Sequence, residues 1–290
     1  MSWIFFALIC MMMTVFKTLL AKRMLRTIEA QVFVSLDVAF CLAYMMPFLP
    51  QIDFSLITPR FVGLMFVIAV PNLLAMTYLS KATKEGEISE VAPLLILVPA
   101  ISALFAPLFL DEYISPLGWL GILTVFLGGY LIKLENLKKP LSPFLALKGD
   151  RVTRNIAVAI GISVVNVTLI KWLVLESSAL NTLFVSQLTM FILTVPFGVR
   201  FAGGLKKSYG IVKGHFFSLG LLGLLSVVSN YSFLTAFDEG GQVAYVLSIK
   251  RMSVVFIAGL GMFTMKESVR FGKIVGVGCM VAGGLILVQS

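Results

Sequence analysis

Two adjacent cations, Lys250 and Arg251, lie eight or nine residues inside an apolar segment that runs from about 242 to 265. At 1.5 Å per helical residue that is roughly 12–14 Å from the segment's end, too deep for either side chain to reach an interface. A charge in the middle of a bilayer costs at least about 2.5–3.5 kcal/mol, so it faces a cavity or a partner. Facing a cavity, an ammonium and a guanidinium about 100° apart on a helix attract an anionic or zwitterionic ligand. The plainer alternative is a buried ion pair with Asp37 or Glu90. Two more cations sit near the ends of apolar segments, Lys17 and Lys171, each one turn after a Thr in the spacing Thr-x-x-Lys. They either snorkel or line the two mouths of one cavity. Asp37, about a third of the way into its segment, carries a coupling proton or neutralises a Lys. Asn72, Asn230 and Tyr245 supply hydrogen bonds to a ligand or between helices. Pro93 and Pro99 recur along one segment and are candidate hinges, because each removes a backbone donor.

The elements holding these groups follow from composition. Of 290 residues, 59% are hydrophobic and only 13% charged, with a mean hydropathy of +1.01. Soluble domains are nearer half apolar and a quarter charged. A membrane span needs about 20 apolar residues, and ten fit, at about 2–21, 30–50, 60–80, 88–110, 116–134, 154–175, 179–201, 214–237, 242–265 and 270–289. The expected class is an all-α polytopic membrane protein with almost no mass outside the bilayer. Cys10, Cys41 and Cys279 fall within apolar runs and His215 is the sole histidine, so no metal, haem or disulfide framework is expected, and no cofactor. No Ser/His/Asp constellation supports catalysis, and no nucleotide-binding motif supports an ATP-driven pump.

The net charge of +9 is first of all a statement about topology. Of 23 Lys and Arg residues, 18 fall in alternate loops, Arg60 alone falls in the opposite set, and four lie inside spans. The positive-inside rule then places both termini outside the cytoplasm and the linker at 135–153 within it. The basic residues lack the aromatic interleaving of a nucleic-acid surface, so none is expected as a partner.

The two halves of the chain repeat. At a shift of 155, Tyr78-Leu79-Ser80 matches Phe233-Leu234-Thr235, Glu112 matches Glu267, and Gly121, Gly128 and Gly129 match Gly276, Gly283 and Gly284. At a shift of 154, Thr14-x-x-Lys17 matches Thr168-x-x-Lys171. Five spans per copy reverse the second copy in the membrane, and the loop charges reverse with it, giving two inverted five-helix repeats at 1–134 and 154–290. Glu112 and Glu267 are read as caps or clamps. The glycines of spans five and ten give small faces for close packing, so these spans are expected at the periphery, as a candidate face for a homodimer.

Several stretches carry a family resemblance: Glu87 to Pro93 (EISEVAP), Pro99, Ala103 to Glu112, Gly121 to Gly129, and in the second copy Gln242 to Glu267 and Gly276 to Gly284. On these the chain resembles the drug/metabolite transporter superfamily and its EamA-type ten-span members. The resemblance implies a secondary transporter in the plasma or inner membrane, with a small-molecule substrate and the lipid bilayer as partners. An adjacent Lys-Arg in span nine is similar to the phosphate-binding pair of sugar-phosphate translocators in that superfamily. Span one carries Lys17 and no carboxylate, unlike the small multidrug exporters. A flippase for a lipid-linked phosphate intermediate and a non-transporting scaffold are the rival expectations.

Overall fold

Backbone amides in hydrocarbon must be satisfied within their own segment, so an apolar chain of this length folds into helices. The computed structural model describes residues 2–85, 97–133, 151–257 and 271–290, and holds no strand among them. In chain order the helices are α1 (Ser2–Met24), α2 (Ala30–Met45, prolonged by a 3-10 turn Met46–Gln51), α3 (Pro59–Glu85), α4 (Val98–Phe105), α5 (Pro107–Leu110), α6 (Pro116–Lys133), α7 (Arg151–Glu176), α8 (Ala179–Phe201), α9 (Leu205–Asp238), α10 (Val243–Arg251) and α11 (Phe271–Gln289). By length and apolarity five stretches can cross a membrane: α1, Ala30–Gln51, Pro59–Thr77 of α3, α8 and α9. Shorter apolar stretches cover Pro116–Ile132 and Ile274–Gln289. Glu90, Pro93, Glu267 and residues 135–150 of the expected linker 135–153 lie outside the described residues.

The distribution of side chains is that of a protein dissolved in lipid. Large apolar groups such as Phe5, Leu108, Ile192, Phe217 and Leu285 are exposed, while Asp37, Asn166, Lys171, Gln187, Ser226 and Ser248 are buried. Polar groups inside and hydrocarbon outside is what bilayer packing favours, since apolar faces gain nothing by leaving the lipid.

Helix pairing is nearly unchanged when the halves are exchanged. The strongest pairings are α6 with α11, α1 with α9, and α2 with α8. Substituting each helix by its repeat mate turns α1–α9 into α7–α3, α2–α9 into α8–α3, and α1–α10 into α7–α4, all of which occur. The pairs α6–α11, α2–α8 and α4–α10 map onto themselves. The closest approach is between α6 and α11, whose further neighbours are α4 and α10. A Cβ on Gly128 would stand 2.5 Å from the Gly276 carbonyl oxygen, and one on Gly276 would stand 2.5 Å from that of Gly128. Gly121 and Gly283 face each other in the same way. The glycine faces expected to serve a homodimer therefore meet within the chain.

The two ends of the bundle differ in charge. At one end the α1–α2 and α8–α9 connections pack together through Met24, Leu25, Ile28, Ala202, Ile211 and Val212, carrying the exposed Lys22, Arg23, Arg26, Arg200, Lys206 and Lys207. At the other end acids tie the connections: Ser2 donates to Glu239, Asp238 accepts the Ala179 amide, and Asn181 both accepts the Asp53 amide and donates to its carbonyl. Asp53 also accepts the Ser55 hydroxyl and amide, which hold its carboxyl below the usual range.

Candidate functional site

Two polar nodes lie among the helices. The first gathers residues of both halves. Along α1, Cys10, Thr14 and Lys17 recur at helical spacing on one face, and along α9 so do Ser226, Ser229, Asn230 and Phe233. These faces meet: Ser229 Oγ lies 3.3 Å from Thr14 Oγ1 and 3.6 Å from Cys10 Sγ. From α2, Asp37 enters the same space. Its carboxylate accepts Lys17 Nζ at 2.9 Å and the Ser226 hydroxyl. One turn on, Cys41 lies beside the Asn230 side chain. Lys250 closes the set from α10, its Nζ 4.1 Å above the Phe233 ring and within electrostatic range of Lys17, Cys10 and Arg251.

Lys250 and Arg251 are held in the last turn of α10. Residues 243–251 form α10, Met252 is a turn residue, and helix resumes at 253–257. The expected ninth span thus tightens at the cation pair, where Met252 keeps right-handed helical dihedrals and its amide reaches both the Ser248 and Ile249 carbonyls. Leu97, 155 residues before Met252, is likewise a turn residue, at the start of α4. Arg251 Nε is shielded from solvent and has no hydrogen-bond partner among the described residues. A buried donor without a partner forfeits its hydration, which is costly unless something else fills the role. The cluster therefore holds one matched pair, Lys17 with Asp37, and two cations without a carboxylate among the described residues.

The second node ties α10 to the other half at the acidic end. Lys171 of α7 makes a buried ion pair with Glu112 and donates to the Gly241 carbonyl at 2.7 Å. Glu112 also accepts the Val243 amide at 3.0 Å. Gln242, at the N-cap of α10, offers no side-chain cap. Glu112 supplies it from outside the helix and places negative charge at the positive end of the helix dipole. The turn that aims it is set by Asp111, whose φ of 49° ends α5 in the left-handed region, one that Asp tolerates better than most residues. Clamping by Glu112 was expected to act on the following span; it acts on α10.

The remaining expected residues are dispersed. Lys171 belongs to this second node. Tyr245 is 5% exposed, stacked on Trp3 and lodged against Gly118 of α6, with its hydroxyl 3.4 Å from Ser115 Oγ. Asn72 is half-buried on α3, next to Pro71, which α3 accommodates without a break. Pro99 occupies the first turn of α4, where the missing amide costs no hydrogen bond. Ser226 and Ser229 went unremarked in the sequence, although their three-residue spacing beside Asn230 is the signal that marks them.

These arrangements can be set against known proteins. Residues 1–134 match the model of the EamA-like transporter family. A solved crystal structure superposes with a TM-score of 0.70 at 14% identity, over 98% of this chain and 97% of that one. That likeness shows the fold alone, and it takes in both halves. No curated protein matches in sequence.

Proposed function

We propose that this chain, whose residues 1–134 match the EamA-like transporter family, is a multi-pass membrane transporter of the drug/metabolite type, a secondary transporter that works by alternating access. Its cargo is a small polar metabolite, anionic or zwitterionic, bound at the junction of α1, α2, α9 and α10. The observation that carries this reading is the pair Lys250 and Arg251 at the end of α10. Among the described residues the Arg251 Nε is buried without a partner, and the Lys250 ammonium lies over an aromatic ring. Two cations at membrane depth with no carboxylate beside them among the described residues favour a cargo site over a non-transporting scaffold. An incoming anion supplies the missing charge and acceptors. Asn230, Ser229 and Lys17 stand beside the pair and complete the hydrogen bonding.

The expected ten spans, in two inverted halves at 1–134 and 154–290 joined by 135–153, give this site its mechanics. The exchange-invariant helix pairing supports such an inversion, and rocking one half against the other opens a midplane site to each side in turn. The basic end of the bundle is cytoplasmic in this reading, the membrane is the plasma or inner membrane, and both termini face away from the cytoplasm. A homodimer through spans five and ten uses their lipid-facing sides, where Leu120, Leu127 and Ile274 are exposed.

The test is uptake into proteoliposomes against a panel of anionic, zwitterionic and cationic solutes, with Lys250→Gln and Arg251→Gln beside the wild type. Saturable uptake confined to the anionic or zwitterionic members, reduced at least about tenfold by either variant, is expected if each lost charge-assisted hydrogen bond removes about 1.5–3 kcal/mol. Both variants transporting at the wild-type rate would falsify the assignment of the site.

A further inference from the structure

Helix α9 has 34 residues, about 50 Å at 1.5 Å each, against a hydrocarbon core of about 30 Å. Its first turns therefore project into the headgroup layer. His215 marks the change, leaving helical geometry at φ −122° and ψ 18°. The ring is held there by hydrogen bonds of 3.3 Å with Thr27 and 3.2 Å with the Ile211 carbonyl. Before it, Lys206, Lys207, Tyr209 and Lys213 are exposed. After it, Phe216, Phe217 and Leu221 are exposed, Phe217 at 90%. Lys206 and Lys213, seven residues apart, share a face before the kink, and Phe217 and Gly220, three apart, share one after it, so the cationic and apolar faces meet at the kink.

The apolar face forms one wall of a groove. Phe40, Ala43 and Tyr44 of α2 face Phe216, Phe217 and Gly220 of α9 across a volume of ≈ 490 Å³. Gly220 keeps it open: the sole neighbour a Cβ there would meet is the Tyr44 hydroxyl, at 3.6 Å. Lys22 and Arg23 in the last turn of α1 and Arg26 on the α1–α2 connection lie where that connection packs beside the α8–α9 connection, so cations flank this end from both sides. A topology signal needs only charge in a loop. It does not need an apolar groove meeting the cationic face at a kink.

We propose that this groove holds an anionic phospholipid, with an acyl chain between α2 and α9 and the phosphate-bearing headgroup on Lys213, Lys206 and Lys207. Charge complementarity selects the headgroup, and the adjacency of groove and cations selects a lipid over a free phosphate. The inference is independent of what the central cluster transports. It adds a defined lipid at the element whose Ser226 and Ser229 reach that cluster, so occupancy of the groove bears directly on the setting of α9.

The test is native mass spectrometry of the full chain in detergent, titrated with phosphatidylglycerol or phosphatidylcholine of matched acyl chains, with inorganic phosphate as competitor. The wild type is expected to retain phosphatidylglycerol at least about tenfold better, since each basic residue near an anionic surface contributes about a fivefold factor. Inorganic phosphate at millimolar level leaves that preference intact. Lys206→Gln/Lys207→Gln/Lys213→Gln abolishes the preference while the melting temperature stays put. Gly220→Leu, which fills the groove and is compatible with a helix, lowers retention of both lipids with the lysines in place. Equal retention of the two lipids by the wild type overturns the proposal. So does an undiminished preference in the triple variant, displacement by free phosphate, or a second copy of the chain occupying this face instead of lipid.

Discussion

Lys17 and Lys171 hold equivalent places in the repeat, one turn after a Thr, yet their partnerships differ. Lys171 is sealed at 6% side-chain exposure between Glu112 and the Gly241 carbonyl, while Lys17 keeps 25% exposure beside Asp37. Burial decides what each can do. Taking a charge from water costs several kcal/mol, so a sealed pair is kept only where both partners are well hydrogen-bonded. Glu112 meets that condition with the α10 amide as well as the ammonium. Glu112→Gln or Lys171→Met alone is therefore expected to destabilise the protein by about 3–5 kcal/mol, and Glu112→Gln with Lys171→Met by clearly less than the sum. Thermal or denaturant unfolding in detergent, run as a double-mutant cycle, reads this out; strict additivity contradicts the pairing. The lysines were legible from Thr-x-x-Lys, because a charged residue in an apolar run stands out. Asp37 was also legible as the neutraliser of a Lys, and it pairs with Lys17; Glu112 was not, because Glu112 and Lys171 are 59 residues apart and nothing local joins them.

Helices α6 and α11 show what an element contributes when packing is its whole role. With few polar groups to join them, they approach until backbone meets backbone at Gly128 and Gly276, where van der Waals contact replaces the hydrophobic drive absent in lipid. Gly128→Val is expected to force the pair apart and lower stability by about 1–3 kcal/mol. Gly278→Val, on an open face of α11 with nothing within 4 Å, is expected to change it little. Melting temperatures in one detergent compare the two, and equal losses contradict the close approach. The glycine spacing was readable as a packing face, but its partner was not: a small-residue stripe suits a neighbour in the same chain and a second copy equally well. The turn at Met252 was hidden for a different reason: no Pro or Gly marks it.

Across the whole molecule, one asymmetry orders the rest: cations at one end, acids clamping the other, and between them a cluster built from both halves. Apolar stretches of spanning length, five of them among the described residues, were readable because the bilayer imposes length and apolarity on sequence directly. Which faces meet inside the bundle was not, because lipid is as apolar as Leu and hydropathy alone does not separate an inward face from an outward one. If the basic end is cytoplasmic, Leu145→Cys in the central linker resists impermeant thiol reagents added to intact cells and reacts in inverted vesicles; the opposite pattern reverses the orientation. The central claim is that the cluster around Lys250 and Arg251 opens to both sides of the membrane. Ser229 sits in that cluster at 4% exposure, so Ser229→Cys, with Cys10, Cys41 and Cys279 replaced, reports on it without knowledge of the cargo. Impermeant thiol reagents applied separately to right-side-out and inverted vesicles are predicted to label it from each side in time, as both access states are visited. Labelling from one side alone, or from neither, contradicts alternating access at this site.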